Sequence, residues 1–326
     1  MNDIAKHNCV FSSEDTVKVK GVAILMMFAF HLFSFPERLP PDGYMSIIPH
    51  WPFTHTIEEV TGKFGGLCVP IFIFLSGYGL TRSFKIKSVS ALAFLKKKFI
   101  NFYIVYWAVF FLFMMPPIAL RSQILGEWSF STVALTLLGL GNWINGEWWF
   151  VKLYIILLII FIPCLYLLEK NKTILAVIVT ILFWFLPIFV IGMTFSLYNI
   201  FEKLPDLFPP TPSPKETGFI FATIFLLHSK QSNLLMDATY IPFFVFWASR
   251  ISNEKINKIL VVLGRHSFVM WLSHSFFCYY FFKNFIYSPK ISILIFMLLV
   301  GVSLCTSIII NSIIKEMKIH LSTKTA

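Results

Sequence analysis

Lys20 and His31 have residue types and a spacing that could support group-transfer chemistry. Ten residues separate them in an otherwise apolar segment. In an α-helix the steps between them rise about 16 Å and turn the chain back to within about 20° of its starting direction. We therefore expect an ammonium group and an imidazole on one helix face, and the imidazole can accept or release a proton near neutral pH.

Each of these two side chains also has a purely structural interpretation. A histidine at membrane depth needs a cavity or a polar partner, so His31 could simply be hydrogen-bonded to a neighbouring helix. A lysine at a helix end, such as Lys20, commonly extends its ammonium group to the lipid head groups. The functional interpretation is favoured for His31, because ionisable groups inside a membrane usually mark a site.

A second basic group lies further along the chain. Lys96, Lys97 and Lys98 lead directly into an apolar stretch, and Arg82 precedes them in the same basic loop. Adjacent cations at the mouth of a membrane domain could hold the phosphates of a large anionic donor. They could equally form a topological anchor, since cytoplasmic loops retain Lys and Arg.

Further polar side chains lie inside or beside apolar stretches and need partners of their own. Glu147 is predicted to start a helix on which Lys152 follows one to two turns later. At a helix N-terminus Glu147 could serve only to balance the helix dipole. His274 follows Arg265 by nine residues, which places these two on opposite sides of a helix. The other polar groups of this kind are Ser76, Tyr78, Tyr154 and His228.

Membrane helices must position these residues. Of the 326 residues, 57% are hydrophobic and 13% are charged, whereas soluble domains contain about 25% charged residues. Only a helix or a closed barrel satisfies its own backbone in lipid, and the apolar runs lack the alternation of barrel strands. The predicted fold is therefore an all-α polytopic bundle.

The number of crossings is predicted from the apolar stretches. Ten stretches qualify: 21–36, 65–83, 99–118, 131–141, 148–168, 173–192, 218–228, 236–249, 261–282 and 291–314. The fourth, seventh and eighth are shorter than the roughly 20 residues that a crossing needs. We therefore predict about ten transmembrane helices, with eight as the alternative.

Basic residues predict the orientation of the chain. The loop that contains Arg82 and Lys96 is expected in the cytoplasm, which places the N-terminus there too. Lys315 and Lys318 place the C-terminus on the same side. We divide the chain into a cytoplasmic tail at 1–17, a membrane domain at 18–315 and a second cytoplasmic tail at 316–326.

Composition argues against several other classes. The net charge is +11, but the basic residues form short clusters beside apolar stretches, so no nucleic-acid partner is expected. The polar N-terminal segment lacks the features of a cleavable signal peptide. The five cysteines have neither metal-ligand nor redox spacing, and no metal site is expected.

Five motifs, in the same order along the chain, resemble those of acyltransferase family 3, the integral membrane O-acyltransferases that modify surface glycans. The segment Lys20–His31 resembles the family's Arg-X10-His signature, and Phe72–Tyr78 its Phe-Phe-x-x-Ser-Gly-Phe/Tyr pattern. Lys96–Trp107 is similar to a basic run that ends in Tyr-Trp. Glu147–Tyr154 is similar to a Trp-Phe-x-x-x-Tyr helix, and Leu263–His274 to a late Leu-Gly-x-x-Ser segment.

Three departures accompany this resemblance. Lys20 stands where the family prefers arginine, and Asn101 replaces the last arginine of the basic run. Ile104 and Val105 replace the prolines of that run. A lysine cannot form the planar two-pronged hydrogen bond of a guanidinium group, so the departures affect contacts to donor phosphates.

The resemblance implies an acyl-CoA donor, usually acetyl-CoA, that enters from the cytoplasm and passes its acyl group to a carbohydrate hydroxyl. It implies that His31 is the general base and that Lys20 grips the polar part of the donor. Further donor contacts are expected from Arg82, Lys96, Lys97 and Lys98. Contacts to the acceptor or to the developing oxyanion are expected from Ser76, Tyr78, Glu147, Trp149, Lys152, Tyr154 and His274. The resemblance also implies that the protein lies in a bacterial inner or cytoplasmic membrane and holds no bound cofactor.

Two other function classes are compatible with the sequence. A secondary transporter or glycan flippase would also carry charged residues at bilayer depth, although we find no paired, interrupted helices from related halves. A non-catalytic sensor or scaffold would tolerate replacement of His31 and Lys20. Acyl transfer without any gradient distinguishes the enzyme from the transporter.

Overall fold

The computed structural model describes residues 11–41, 43–47, 55–87, 89–119, 129–170, 186–204, 216, 222–225 and 234–324. Within these residues no strand is present, and the regular elements are helices. The prediction of an all-α fold is therefore confirmed for this part of the chain. His228, most of the stretch 173–192 and most of 218–228 lie outside the described residues.

The α-helices, in chain order, are α1 Ser13–Phe33, α2 Ile57–Gly65, α3 Cys68–Lys87, α4 Ala91–Phe113, α5 Met115–Ala119, α6 Phe130–Leu137, α7 Trp149–Glu169, α8 Leu186–Leu197, α9 Ile200–Lys203, α10 Leu234–Ser249, α11 Glu254–Ser275, α12 Lys283–Tyr287 and α13 Ser292–Lys324. Two 3-10 turns at Pro36–Arg38 and Gly146–Trp148, and a π-helical turn at Phe276–Tyr280, join some of them.

Four segments of the described chain are long and apolar enough to cross a membrane. They are Ser13–Phe33, Ile57–Lys87, Gly146–Glu169 and Ser292–His320. A helix of 20 residues spans about 30 Å, the thickness of the hydrocarbon layer. The chain is therefore a membrane protein, while the count of eight or ten crossings and the cytoplasmic position of both termini stay predictions.

The observed helix ends differ from the predicted apolar stretches for local reasons. α1 begins at Ser13, well before the apolar stretch 21–36, because Ser12 and Asp15 form a reciprocal cap of side-chain and backbone hydrogen bonds. The predicted short stretch 131–141 contains only α6, which has eight residues. At about 12 Å, α6 is too short to cross the membrane.

The chain divides into two compact units. The first unit comprises Met1–Met27, Lys63–Ala91 and Ile160–Arg265. The second comprises Phe28–Gly62, Leu92–Ile159 and His266–Ala326.

Reciprocal glycine contacts define the helix crossing of α3 and α8 in the first unit. A Cβ atom on Gly77 would lie 2.1 Å from the carbonyl oxygen of Phe189, and one on Gly192 would lie 2.1 Å from that of Phe74. Only glycine permits such close backbone approach, as at the small-residue crossings of membrane helices. The Ser-Gly-Tyr pattern of α3 therefore serves packing at its glycine.

A second crossing of the same kind joins α1 and α11 within the first unit. A Cβ atom on Gly21 would lie 2.1 Å from the carbonyl oxygen of Leu260, and one on Gly264 would lie 1.8 Å from that of Val17. These contacts fix the first half of α1, the helix that carries Lys20.

The second unit has an aromatic core built from α4, α7, α11 and α13. Trp148 lies at its centre, with its ring 4.9 Å from that of Tyr106. Its indole N–H donates to the backbone carbonyl of Leu272 at 2.9 Å. This bond places the turn Gly146–Trp148 directly beside the end of α11, where the polar residues of the second unit gather.

Candidate active site

His31 lies in the last turn of α1 and is buried, with 8% of its surface exposed. Its Nδ1 atom is 3.0 Å from the hydroxyl oxygen of Tyr279 and 3.4 Å from Oε2 of Glu147. All three residues belong to the second unit. Tertiary folding therefore gives the histidine two polar partners on one ring nitrogen.

These contacts assign the tautomer of His31. The Tyr279 hydroxyl donates to the backbone carbonyl of His31 at 2.6 Å, so its oxygen is left to accept a hydrogen bond. The carboxylate of Glu147 can only accept. Because both neighbours of Nδ1 are acceptors, we place the ring proton on Nδ1, which leaves a lone pair on Nε2. Among the described residues, Nε2 has no hydrogen-bond partner.

Arg38 holds the Glu147 carboxylate from its other side. Its guanidinium donates to Oε1 of Glu147 at 2.7 Å and lies over the rings of Phe35 and Tyr279, at 4.3 and 4.9 Å from their centroids. Burial alone would lower the pKa of Arg38, but its contacts with Tyr279 and Glu147 outweigh this and raise the pKa. These contacts therefore favour the charged form of Arg38.

Local hydrogen bonds fix the position of Glu147. The side-chain oxygen of Asn145 accepts from the backbone N–H of Glu147 at 3.1 Å and caps the turn Gly146–Trp148. The Asn145 amide also donates to the Ser275 hydroxyl at 2.9 Å. Glu147 lies, as predicted, at the start of a helix, in the 3-10 turn that leads into α7. Its carboxylate contacts His31 and Arg38, so it does more than balance the helix dipole.

His274 lies beside His31, with ring centroids 4.5 Å apart, and is fully buried. Its Nδ1 atom is 2.5 Å from the backbone carbonyl of Trp271, which can only accept, so Nδ1 carries the proton. Its Nε2 atom is buried without a hydrogen-bond partner in the described chain. Such an atom is costly in an apolar interior and is suited to a ligand.

The turn that carries Tyr279 is π-helical. Residues Phe276–Tyr280 form this wider turn directly after α11, and such turns are frequent at functional sites. It follows His274 immediately, so the same chain segment supplies His274 from the helix and Tyr279 from the turn.

Besides Lys20, three predicted site residues belong to the first unit. The Ser76 hydroxyl donates to the Phe72 carbonyl of its own helix at 2.7 Å. The Tyr78 hydroxyl lies 3.5 Å from the Phe11 carbonyl oxygen, and its ring packs on aromatic neighbours. Arg82 donates to the Asn199 side chain at 3.0 Å and pairs with Glu202 at 3.4 Å, so its guanidinium ties α3 to α9.

The other predicted contact residues of the second unit are Trp149, Lys152 and Tyr154. Trp149 is 37% exposed and Lys152 is exposed. Tyr154 packs its ring 5.2 Å from that of Phe102 in the aromatic core.

The three lysines predicted to bind the donor lie near the start of α4 in the second unit. Lys96 and Lys97 are exposed, and the Lys98 ammonium lies 5.1 Å from the centroid of Phe94. Asn101 accepts a hydrogen bond from the Lys318 ammonium at 3.3 Å. Lys318 thus brings a cation to the position where the family's basic run has an arginine.

Lys20 lies on α1, partly buried, and makes no hydrogen bond or ion pair with the described residues. The helix that carries it extends over Ser13–Phe33.

Sequence reasoning missed Arg38 and Tyr279. Arg38 belongs to an irregular segment between helices, and Tyr279 is one of several aromatic residues in an apolar run, so neither position carries a periodic signal. The contact between His31 and Tyr279 joins residues 248 positions apart. The proximity of Arg38 to proline and phenylalanine gave no indication of its ion pair.

Comparison with known families identifies the chain. A family model described as an acyltransferase domain, of the type named acyltransferase 3, matches residues 19–208. The chain belongs to acyltransferase family 3. Membership of acyltransferase family 3 makes it a membrane enzyme that acylates hydroxyl groups. The match covers His31, Arg38 and Glu147, while His274 and Tyr279 follow it. No curated protein and no solved structure matches the chain.

Proposed function

We propose that this protein transfers an acetyl group from acetyl-CoA to a hydroxyl of a cell-surface carbohydrate, with His31 as the general base. The observation that carries the proposal is the contact of His31 Nδ1 with Glu147 and Tyr279. These contacts place the ring proton on Nδ1, so Nε2 carries a free lone pair. A buried, oriented imidazole of this tautomer is suited to remove a proton from a hydroxyl.

The proposed reaction proceeds in two proton transfers. The acceptor hydroxyl gives its proton to His31 Nε2 while its oxygen attacks the carbonyl carbon of the thioester. The carbon–sulfur bond then breaks, the ester forms, and the imidazolium returns the proton to the departing thiolate. General base catalysis of this kind contributes about 10²- to 10⁴-fold.

Glu147 and Arg38 act on the charged form of His31 in this mechanism. The carboxylate stabilises the imidazolium that forms when Nε2 accepts the proton, as the acidic member of a catalytic triad does. Arg38, whose guanidinium lies 2.7 Å from Oε1, holds the carboxylate in this orientation. Both are positioning residues, because they act through His31.

His274 is assigned to acceptor binding. Since its Nδ1 proton is directed at the Trp271 carbonyl, the neutral ring offers only a lone pair at Nε2. A lone pair can accept a hydrogen bond from a sugar hydroxyl but cannot stabilise an oxyanion. Ser76 is equally unsuited to the oxyanion, because its hydroxyl proton is bound within its own helix.

We propose that Lys20 and the lysines at the start of α4 contact the donor. The protein is proposed to lie in a bacterial cytoplasmic membrane, and the donor to enter from the cytoplasm. Arg82 is left out, because Glu202 and Asn199 occupy its guanidinium. A lysine binds phosphate as a point charge, which suits the exposed ammonium groups of Lys96 and Lys97.

The test is transfer of radiolabelled acetyl from acetyl-CoA in isolated membranes without an ion gradient. His31→Ala is compared with His55→Ala, whose ring pairs with Glu59 at 2.9 Å outside the cluster. We expect only His31→Ala to abolish labelling of glycan. Equal transfer by both variants would refute the role of His31, and no transfer by the folded wild type would reopen the transporter alternative.

A further inference from the structure

A cavity of about 560 Å³ lies beside the C-terminal part of α13. Its lining consists of Val105, Asn311, Ile314, Lys315, Lys318 and Ile319, which all belong to the second unit. Volumes of this size accommodate small-molecule ligands. We call this cavity, together with Asn101, the lysine groove.

The lysine groove concentrates positive charge. Lys318 bonds to Asn101, and Lys97 and Lys98 precede Asn101 by about one helical turn, so they lie on the same side of α4. Lys315 contributes another ammonium to the lining. No carboxylate in the described chain forms an ion pair with Lys97, Lys315 or Lys318. The groove therefore presents cations to an anionic ligand.

Polar side chains continue from this groove along α13. Asn311, Ser307 and Ser303 follow one another at four-residue intervals and share one helix face. His266 Nδ1 lies 2.9 Å from the Ser307 hydroxyl and 3.2 Å from the Asn311 amide. Ser303 has a buried hydroxyl oxygen without a partner among the described residues. A topological anchor at the membrane surface needs no such polar line inside a membrane helix.

The polar line formed by Asn311, Ser307 and Ser303 leads from the lysine groove toward the His31 cluster. His266 and His274 lie on the same helix, α11, and eight residues rise about 12 Å. Further along α13, Thr306 and Ile310 are near Phe113 and Phe277, the latter only two residues before Tyr279. A ligand anchored in the lysine groove and extended along α11 and α13 therefore points toward the end of the second unit that holds His31.

We propose that the lysine groove binds the phosphate groups of the acyl donor, with Lys315 and Lys318 as its contacts from α13. This inference rests on the proposed acyl-CoA-dependent function and adds the phosphate site. Within the polar line along α13, Ser307 and Asn311 are already bonded to His266. The Ser303 hydroxyl, which has no partner among the described residues, is the group left to bind an amide of the donor's pantetheine arm. Anionic lipid head groups carry the same phosphate chemistry, so the test must separate the two sources.

The experiment uses the full chain in nanodiscs of phosphatidylcholine. CoA is titrated as the probe, and pantetheine serves as the probe without phosphates. The double variant Lys315→Ala/Lys318→Ala is compared with Lys258→Ala, which removes an exposed lysine paired with Glu254 in the first unit. Thermal unfolding confirms that each variant is folded, and Lys315→Arg/Lys318→Arg tests rescue by charge.

We expect the double alanine variant to bind CoA at least about ten-fold more weakly than the wild type, and its KM for acetyl-CoA to rise by a similar factor. Its affinity for pantetheine should stay the same, because pantetheine has no phosphate groups. The arginine variant should recover most of the CoA affinity, and Lys258→Ala should match the wild type. Unchanged CoA affinity and KM in the double alanine variant would overturn the inference while leaving the acyltransferase function intact.

Two further outcomes distinguish the remaining cases. If short-chain phosphatidylglycerol stabilises the wild type but not the double variant, and CoA affinity is the same in both, the groove is a lipid site and the donor assignment is wrong. If the folded wild type neither binds CoA nor transfers acetyl, the proposed function itself fails, and the phosphate inference falls with it.

Discussion

The replacement Glu147→Gln isolates the electrostatic part of the proposed mechanism. Glutamine has nearly the shape of glutamate and can keep a hydrogen bond from Arg38, but it removes the negative charge 3.4 Å from His31 Nδ1. The side chains of His31 and Glu147 are only 10% and 13% exposed, so solvent screens the pair weakly. The imidazolium formed during the reaction should therefore lose much of its stabilisation.

The expected magnitude follows from Coulomb's law. Unit charges 3.4 Å apart attract by about 5 kcal/mol at an effective dielectric constant of about 20. The nearby positive charge of Arg38 offsets part of this attraction, so we take about half, or about 2 to 3 kcal/mol. This corresponds to a decrease in kcat of about 30- to 150-fold.

The assay is initial-rate transfer of radiolabelled acetyl in membranes, with kcat and KM for acetyl-CoA measured separately. Glu59→Gln is the matched control, because Glu59 pairs with His55 at 2.9 Å outside the cluster. We expect kcat to fall in Glu147→Gln alone, with KM for the donor nearly unchanged. A kcat within about two-fold of wild type in folded Glu147→Gln would refute the role of the carboxylate.

Three further predictions concern the support of the site and the fold. Tyr279→Phe removes the hydroxyl that contacts His31 and should lower kcat about ten-fold, measured by the same assay; an unchanged kcat would contradict this. Gly77→Ala places a methyl group 2.1 Å from the Phe189 carbonyl oxygen and should destabilise the protein by several kcal/mol, as measured by thermal unfolding. Gly79→Ala is the control and should leave the stability unchanged, because a Cβ atom there has open space around it. Glu58→Gln weakens a buried acceptor of three hydrogen bonds and should lower the free energy of unfolding by about 1 to 3 kcal/mol. Equal unfolding midpoints for the variant and the wild type would contradict this prediction.

The membrane character and the helical class could be predicted because they depend on local properties of the chain. An apolar run in lipid must satisfy its own backbone, so hydropathy alone predicts helices. The relative orientation of Lys20 and His31 was predictable for the same reason, since helix periodicity sets it without any tertiary contact. The family resemblance also came from local motifs, and the family match confirms it.

The composition of the site depended on tertiary structure. Glu147 and His274 were among several polar candidates, and nothing in their spacing selected them over Tyr154 or Lys152. Packing of the Trp148 turn against the end of α11 brings both beside His31.

The sequence by itself therefore determined that this chain folds in a lipid bilayer and that it forms helices there. It also determined that Lys20 and His31 share one face of a helix. Only the tertiary structure decided that His31 has Glu147 and Tyr279 as partners, that Arg38 belongs to the cluster, and that Ser76, Tyr78 and Arg82 make structural contacts in the first unit. The physical reason is that helix periodicity acts between neighbours in sequence, whereas a side chain's partner depends on which distant segments pack against it.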